Sequence, residues 1–141
     1  MADLTIPSSG GLVIAGTGAR IASGVLGAAS MEAGMPVYKD SADENKLKPC
    51  DANDSAMAVA VGILLTGGGD DQPCSYITQG NLDLGAGVAM TAGERYYASP
   101  DAGGIQPSVD LASLDYVTLL GIADSTTNLV VSLLASGVVI P

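Results

Sequence analysis

The chain has 141 residues, enough for one domain with its own core, and its formal net charge is −10. It contains no histidine, phenylalanine or tryptophan, so the commonest general base and zinc ligand is missing, as are the rings on which sugars stack most readily. Only five residues are basic, whereas binding to nucleic acid or to an anionic membrane requires a basic surface. The composition therefore argues against nucleic-acid binding, membrane binding and most catalysis.

The first 24 residues lack the basic start and the long apolar run of a signal peptide, so we expect synthesis in a cytosol-like compartment. Turn-forming clusters at residues 6–11 and 16–18 flank a short apolar stretch, residues 12–15. We interpret residues 1–24 as an extended arm that docks on a neighbouring molecule, with a frayed terminus as the alternative. The candidate contact residues of this arm are Leu4, Ile6, Leu12, Val13, Ile14 and Arg20.

From Ile21 onward the pattern predicts β-strands. Two hairpins are expected, and the two longest apolar runs predict strands buried on both faces. Each of those runs has a glycine in its middle, which indicates a bulge or close packing. Residues 52–61 are also compatible with a helix, and this alternative stays open. The predicted strands are residues 37–39 with 47–49, 96–98 with 105–107, then 59–64, 117–122 and 128–134.

The sequence repeats itself in a degenerate form. At one constant offset Met31, Ala33, Gly34 and Tyr38 return as Met90, Ala92, Gly93 and Tyr97. We interpret residues 25–80 and 83–137 as two tandem copies. A copy of about fifty residues is too small for a core of its own, so both copies should share one barrel or sandwich. The predicted domains are therefore the arm, residues 1–24, and a single all-β domain, residues 25–141.

The acidic and glycine-rich loops do not match any known ligand motif. Residues 51–55 begin like a calcium loop, but Gly62 stands where the bidentate glutamate is required. Glycines at 16–18 and 67–69 lack the residues that complete a phosphate-binding loop. We therefore predict no metal site, no cofactor and no catalytic residue, and we expect residues 67–71 to form an exposed, mobile tip.

The two cysteines and the tyrosine pair carry the remaining predictions. Cys50 and Cys74 are expected to be buried and reduced, because no secretion signal accompanies them. Strand alternation directs one of Tyr96 and Tyr97 inward and the other outward. We take Tyr96 as a candidate contact residue.

Several segments together are similar to the small decoration, or cement, proteins of tailed-bacteriophage capsids. They are residues 33–38, 92–97, 117–124 and 129–137, and the likeness extends over about residues 25–137. The resemblance implies a compact β-barrel or β-tulip-like domain without enzymatic activity. It also implies a virion protein on the capsid exterior that binds the major capsid protein and itself, as a homotrimer or a dimer. Such a protein, synthesised in the host cytoplasm, would stabilise the expanded head by bridging neighbouring capsomers.

Two other functional classes remain open from the residues alone. A fibre, spike or tail-associated β module would need trimeric coiled or triple-β stretches, and the sequence has none. A cytosolic ligand-binding β module would need a concave site, for which the sequence offers no aromatic lining. Catalysis by a carboxylate pair would require two acids with strongly raised pKa values in one cleft.

Overall fold

The computed structural model describes Leu4 and residues 14–85 and 88–141. These residues form strands, turns and two short 3₁₀ segments, Ser41–Asp43 and Ser108–Asp110, and contain no α-helix. No helix in this part of the chain is therefore long and apolar enough to span a membrane. The strands are β1 (Ile14–Ala15), β2 (Arg20–Val25), β3 (Pro36–Asp40), β4 (Lys46–Pro49), β5 (Gly62–Leu64), β6 (Pro73–Asp83), β7 (Arg95–Ala98), β8 (Ile105–Pro107), β9 (Tyr116–Ala123) and β10 (Asn128–Val139).

Both predicted hairpins are confirmed. β3 pairs with β4 and β7 pairs with β8, each in an antiparallel register. The first hairpin turns locally, because the Asp40 carboxylate accepts a hydrogen bond of 3.0 Å from the Ala42 amide. Glu44 and Asn45 then both adopt a φ of 57°, the left-handed conformation that reverses a chain tightly. These contacts are short-range, which explains why the sequence pattern reveals the hairpin.

All ten strands belong to one sheet, which follows the path β4-β3-β5-β6-β10-β9-β7-β8, with β1 and β2 added to β6. Four strands pair with the long strand β6, so the sheet branches there. At Gln79 its two neighbours are Arg20 of β2 and Ser132 of β10, and at Ile77 they are residues of β2 and β5. A strand has only two edges, so β5 and β10 share one edge of β6, while β1 and β2 share the other. The whole sheet is curled into a half-barrel.

The same strand order occurs in the first and second halves of the chain. β3–β6 and β7–β10 each contain a hairpin whose first strand pairs with the third strand, which in turn pairs with the fourth. Val37 lies opposite Gly62 in the first half, and Tyr96 lies opposite Gly121 in the second. The two halves meet where β6 pairs with β10.

Two apolar clusters fill the fold. The larger cluster takes side chains from both halves, whereas the smaller one lies within the first half and beside β2. β3, β5 and β6 supply both clusters, since their successive side chains point to opposite faces of the sheet. The predicted shared core is thus present. The largest fully buried side chains of the two clusters together include Tyr96, Leu26, Leu47, Ile63, Leu64, Ile77, Leu82, Leu84, Ile105, Leu120 and Leu129.

The interpretation of residues 1–24 as an arm is wrong for residues 14–24. β1 and β2 pair along one edge of β6, so these residues belong to the β domain. The predicted domain boundary after residue 24 falls inside β2. The physical reason is that the backbone of β6 needs hydrogen-bond partners on both edges, and the N-terminal segment supplies one of them.

Three strand or loop predictions need correction. Residues 52–61 form turns rather than a helix, and the strand expected at residues 59–64 is present only as β5. The glycine-rich tip is anchored, because Gly68 and Met31 exchange two backbone hydrogen bonds of 2.9 Å. β10 continues five residues beyond the predicted end at residue 134.

Candidate functional site

Leu4, the first of the predicted contact residues, lies against β8. Its amide donates a hydrogen bond of 2.9 Å to the Ile105 carbonyl, and its partly buried side chain packs against the larger cluster. Leu4 also lines a cleft of about 140 Å³ together with Met35 and Gly103. Pockets for small-molecule ligands have volumes of about 300–1,000 Å³. The cleft is therefore small for a ligand site, and Leu4 acts there as a packing residue.

The other predicted arm residues divide into two groups. Ile14 lies in β1 opposite Asp83, and Arg20 begins β2 opposite Gln79. The Arg20 side chain is exposed, while its carbonyl accepts a 3.3 Å hydrogen bond from the Thr78 hydroxyl. The predictions for Ile6, Leu12 and Val13 lie outside the described residues.

Tyr96 is a core residue, which corrects its prediction as an exposed contact. It is 2% exposed, and its hydroxyl accepts a hydrogen bond of 2.9 Å from the Thr91 amide. Tyr97, its neighbour on the opposite face, is half-buried. Strand alternation correctly predicted that the two rings separate, but it could not decide which ring faces the core.

The first open strand edge belongs to β2. One edge of this strand pairs with β6. Just after the end of the strand, Leu26 forms an isolated bridge to Leu47 of β4. Among the described residues the outer edge from Arg20 to Ser23 has no strand partner. Ile21 is 54% exposed on this strand. The β2 edge therefore combines a cation, an exposed apolar side chain and unpaired backbone, a combination suited to contact with another protein.

The second edge without a strand partner among the described residues is the C-terminal half of β10, which the sequence pattern did not single out. β6 pairs with β10 only as far as Ser132, whereas β9 continues along its other edge to Val139. Leu134 is 61% exposed and Val138 is 60% exposed. The sequence does indicate this edge, because its apolar pattern continues past residue 134 without a charged residue.

Leu114 lies beside the end of β10. Its amide donates a 2.7 Å hydrogen bond to the Ile140 carbonyl, and its side chain is 71% exposed. Its φ is 74°, a conformation that a bulky residue adopts only under strain. We call Leu114, Leu134, Val138 and Val139 the C-terminal apolar strip.

The ion pairs are concentrated at the β3–β4 hairpin. The Lys48 ammonium lies 2.7 Å from the Asp40 carboxylate and 3.1 Å from that of Asp43, while Lys46 pairs with Asp43 and Asp71. The hydrogen bond from Lys48 lowers the pKa of Asp40, and bonds to Asp40 and Asp43 raise the pKa of Lys48. These groups are partly exposed to solvent, so the pairs fix the hairpin turn and each contributes little stability.

No cluster of three or more histidine, cysteine, aspartate or glutamate residues that could hold a metal ion occurs in the described part of the chain. The carboxylates of the calcium-like loop are used locally: Asp51 accepts from the Asn53 amide and Asp54 from the Ala56 amide. Cys50 and Cys74 are free and buried, as predicted, and burial raises the pKa of both thiols. Their raised pKa values make both thiols poor nucleophiles.

Comparisons of the chain with protein-family models, with curated proteins and with solved structures found no match.

Proposed function

We propose that this chain is a non-catalytic structural protein that binds neighbouring protein subunits through its open strand edges. In its specific form, the proposal is that the protein decorates the outer surface of a tailed-phage capsid, bridging copies of the major capsid protein and stabilising the expanded head. The observation that carries the proposal is the pair of exposed apolar strand edges, on β2 and on β10, in one small body. A bridging protein needs two separate contact surfaces of this kind.

We further propose that the body arose by tandem duplication, with copies at residues 25–80 and 83–137. Besides the shared strand order, equivalent turns support this origin. The Gly34 amide donates to the Leu64 carbonyl at 2.8 Å, and the Gly93 amide donates to the Ala123 carbonyl at 2.7 Å. The two glycines have φ values of 93° and 87°. A scaffold built from two copies of one structural unit suits a structural role better than a single reaction centre.

The charge and the size of the surfaces support binding to a lattice. A net charge of −10 keeps the protein from competing for packaged DNA. The open edges are short, so each contact is expected to be weak. On a lattice, weak contacts made by one molecule or oligomer add up, because the second contact forms at a high effective concentration. Each added contact must be lost before the shell opens, which raises the stability of the shell.

The test is binding to expanded, undecorated capsids. Saturable binding of the purified protein and a higher temperature of capsid disruption are the expected results. Replacing Ile21 with Asp is expected to weaken capsid binding at least about 10-fold, because it buries a charge at the β2 edge. The matched control is Val59→Asp, which places the same charge on an exposed valine that belongs to neither β2 nor β10.

Two outcomes would contradict the proposal. Failure of the folded wild-type protein to bind any expanded shell would reject capsid decoration. Equal binding by wild type and Ile21→Asp would show that the β2 edge is not the contact surface.

A further inference from the structure

The outer face of strands β6, β7, β9 and β10 carries a row of exposed side chains. Arg95 lies opposite Ile122, and Ile122 lies opposite Val130. Val130 in turn lies opposite Asn81. Directly opposed residues of two paired strands place their side chains on the same face of the sheet. The residue after each of these four belongs to the larger apolar cluster, so the row lies on the side of the sheet that faces away from that cluster.

A second arginine lies on the same face. Arg20 of β2 lies opposite Gln79 of β6, and both are exposed. Gln79 precedes Asn81 by two residues, and side chains two residues apart on a strand share a face. Four strand spacings of about 4.8 Å separate β7 from β2, so the two arginines lie about 20 Å apart along the sheet. We call this surface the arginine face, and its members are Arg20, Gln79, Asn81, Arg95, Ile122 and Val130.

The two arginines differ from the paired lysines of the first hairpin. Lys46 and Lys48 each contact two carboxylates, whereas neither arginine has an ion pair within the part of the chain that the structure describes. Between the arginines lie Ile122 and Val130, which are 40% and 39% exposed. An apolar centre flanked by arginines is a composition typical of protein contact surfaces.

Three carboxylates at the margin of the arginine face are bound to other groups. Asp83 accepts a 2.8 Å hydrogen bond from the amide two residues later, and Asp124 accepts one of 2.8 Å from the Asn128 side chain. Glu94 accepts hydrogen bonds from both the amide and the hydroxyl of Ser108. These carboxylates stabilise local turns, so the two guanidinium groups stay available to carboxylates from outside the chain.

We propose that the arginine face binds an acidic, extended segment of a partner protein, which runs across the strands with one carboxylate at each arginine. A guanidinium group matches a carboxylate with two parallel hydrogen bonds. Apolar side chains in the middle of the segment contact Ile122 and Val130, and the amides of Gln79 and Asn81 bond to its backbone. This inference goes beyond the proposed function, because it uses a sheet face rather than the strand edges of β2 and β10.

The charges favour a protein segment over nucleic acid. Double-stranded DNA carries one negative charge per about 1.7 Å of its axis, and this density would bring phosphates against Asp83 and Asp124 as well as against the arginines. A segment with two carboxylates brings no more negative charges than the arginine face has cations. Its apolar middle then contacts Ile122 and Val130, where the face has no charge.

The experiment is a titration of the full chain with a peptide, followed by NMR through the backbone amide shifts. An extended chain advances about 3.3 Å per residue, so two aspartates six residues apart span about 20 Å. The probe is a capped seven-residue peptide with aspartate at both ends and alternating valine and threonine between them. We expect shift changes confined to the arginine face and its neighbours, with a millimolar dissociation constant. The same peptide with asparagine at both ends is expected to bind about 10-fold more weakly.

Variants that remove charge locate the two contacts. Arg95→Gln and Arg20→Gln are each expected to weaken binding of the aspartate peptide about 3-fold, and both together about 10-fold. The double variant should no longer distinguish the aspartate peptide from the asparagine peptide. Lys39→Gln is the matched control, because it removes a cation from an exposed position of β3 outside the arginine face, and it should keep that distinction. Thermal unfolding of each variant checks that it is folded.

Three outcomes would overturn the inference: no shift changes at millimolar peptide, equal binding of the two peptides, or a loss in Lys39→Gln equal to that in the arginine variants. A short oligothymidine is a further titrant, and it is expected not to bind. Shift changes of the arginine face with oligothymidine and not with the aspartate peptide would assign the face to nucleic acid instead. None of these measurements needs a capsid, and every variant keeps Ile21, so failure of this inference is distinguishable from failure of capsid binding.

Discussion

The two halves of the chain have the same strand order but end differently. β6 closes the first half and is paired along both edges, because β1 and β2 cover the edge that β5 and β10 leave. β10 closes the second half, and the structure describes a partner for its second edge only as far as Ser132. All three lysines lie in the first half, and the second half has Arg95 as its single cation. The first half therefore carries the lysines and ends in a strand that is paired along both edges, whereas the second half ends in an apolar strand whose second edge has a described partner only as far as Ser132.

Under the proposed duplication, this difference separates a half that the N-terminal strands cover from a half that can present a contact surface. The N-terminal strands β1 and β2 have no counterpart in the second half. They therefore cover one edge of β6, while no equivalent strands cover β10 among the described residues. An apolar edge without charges suits a protein contact, because no ion has to be desolvated when the contact forms. The following changes test this comparison, from the largest expected effect to the smallest.

Removal of the N-terminal strands is the most severe change. Deleting residues 1–22 removes β1 and half of β2 and exposes part of one edge of β6. We expect loss of cooperative thermal unfolding and aggregation, measured by circular dichroism and light scattering. Deleting residues 1–13 keeps both strands and should keep cooperative unfolding. A folded, monomeric protein after the longer deletion would show that β6 does not need this cover.

The two mid-strand glycines test whether the halves are equally close-packed. A Cβ added at Gly62 would lie 2.7 Å from the Ile77 carbonyl oxygen, and one at Gly121 would collide with the backbone of Val130. We expect each alanine variant to lower the free energy of unfolding by about 3 kcal/mol, measured by urea denaturation. Gly69→Ala is the control, since its Cβ meets only the side chain of Gln72, at 3.9 Å. A neutral Gly121→Ala would contradict close packing of β9 on β10.

The tyrosine pair in β7 tests which ring belongs to the core. Tyr96→Phe removes the acceptor of the Thr91 amide and should lower the free energy of unfolding by about 1 kcal/mol. Tyr97→Phe is the matched control, and we expect it to change stability by less. Chemical denaturation of the two variants side by side provides the measurement. A larger loss of stability for Tyr97→Phe than for Tyr96→Phe would contradict the burial of Tyr96 in the core.

Both cysteines lie in the first half, and the buried thiol of Cys50 is expected to affect the melting temperature only at high pH. Burial raises the pKa of the Cys50 thiol above its ordinary value of 9.0. As pH rises, the unfolded chain therefore loses this proton before the folded chain does. Ionisation of this thiol does not affect the free energy of unfolding below pH 9, and it decreases that free energy as pH rises above 9. We expect the melting temperature to decline above pH 9, less steeply for Cys50→Ala than for the wild type. An unchanged slope in the variant would exclude Cys50 as the cause.

Local signals account for what could be predicted. The first hairpin was predictable because its turn is closed by neighbours such as Asp40, Glu44 and Asn45. The glycines at 62 and 121 were recognisable as sites of close packing, which the crowding around each confirms. The C-terminal apolar strip could be predicted only in part. Its apolar residues are visible in the sequence, but an apolar strand has the same residue pattern whether its side chains are covered or exposed.

The sequence by itself determined the all-β class, the paired hairpins and the acidic, histidine-free surface, since these follow from side-chain periodicity, turn residues and composition. Only the tertiary structure decided that residues 14–24 join the sheet, that Tyr96 rather than Tyr97 is buried, and that β6 pairs with β10 only as far as Ser132. Each of these depends on which distant strand reaches a given edge or face. Backbone hydrogen bonds between strands are the same for every residue type, so the amino acids along one strand do not name its partner.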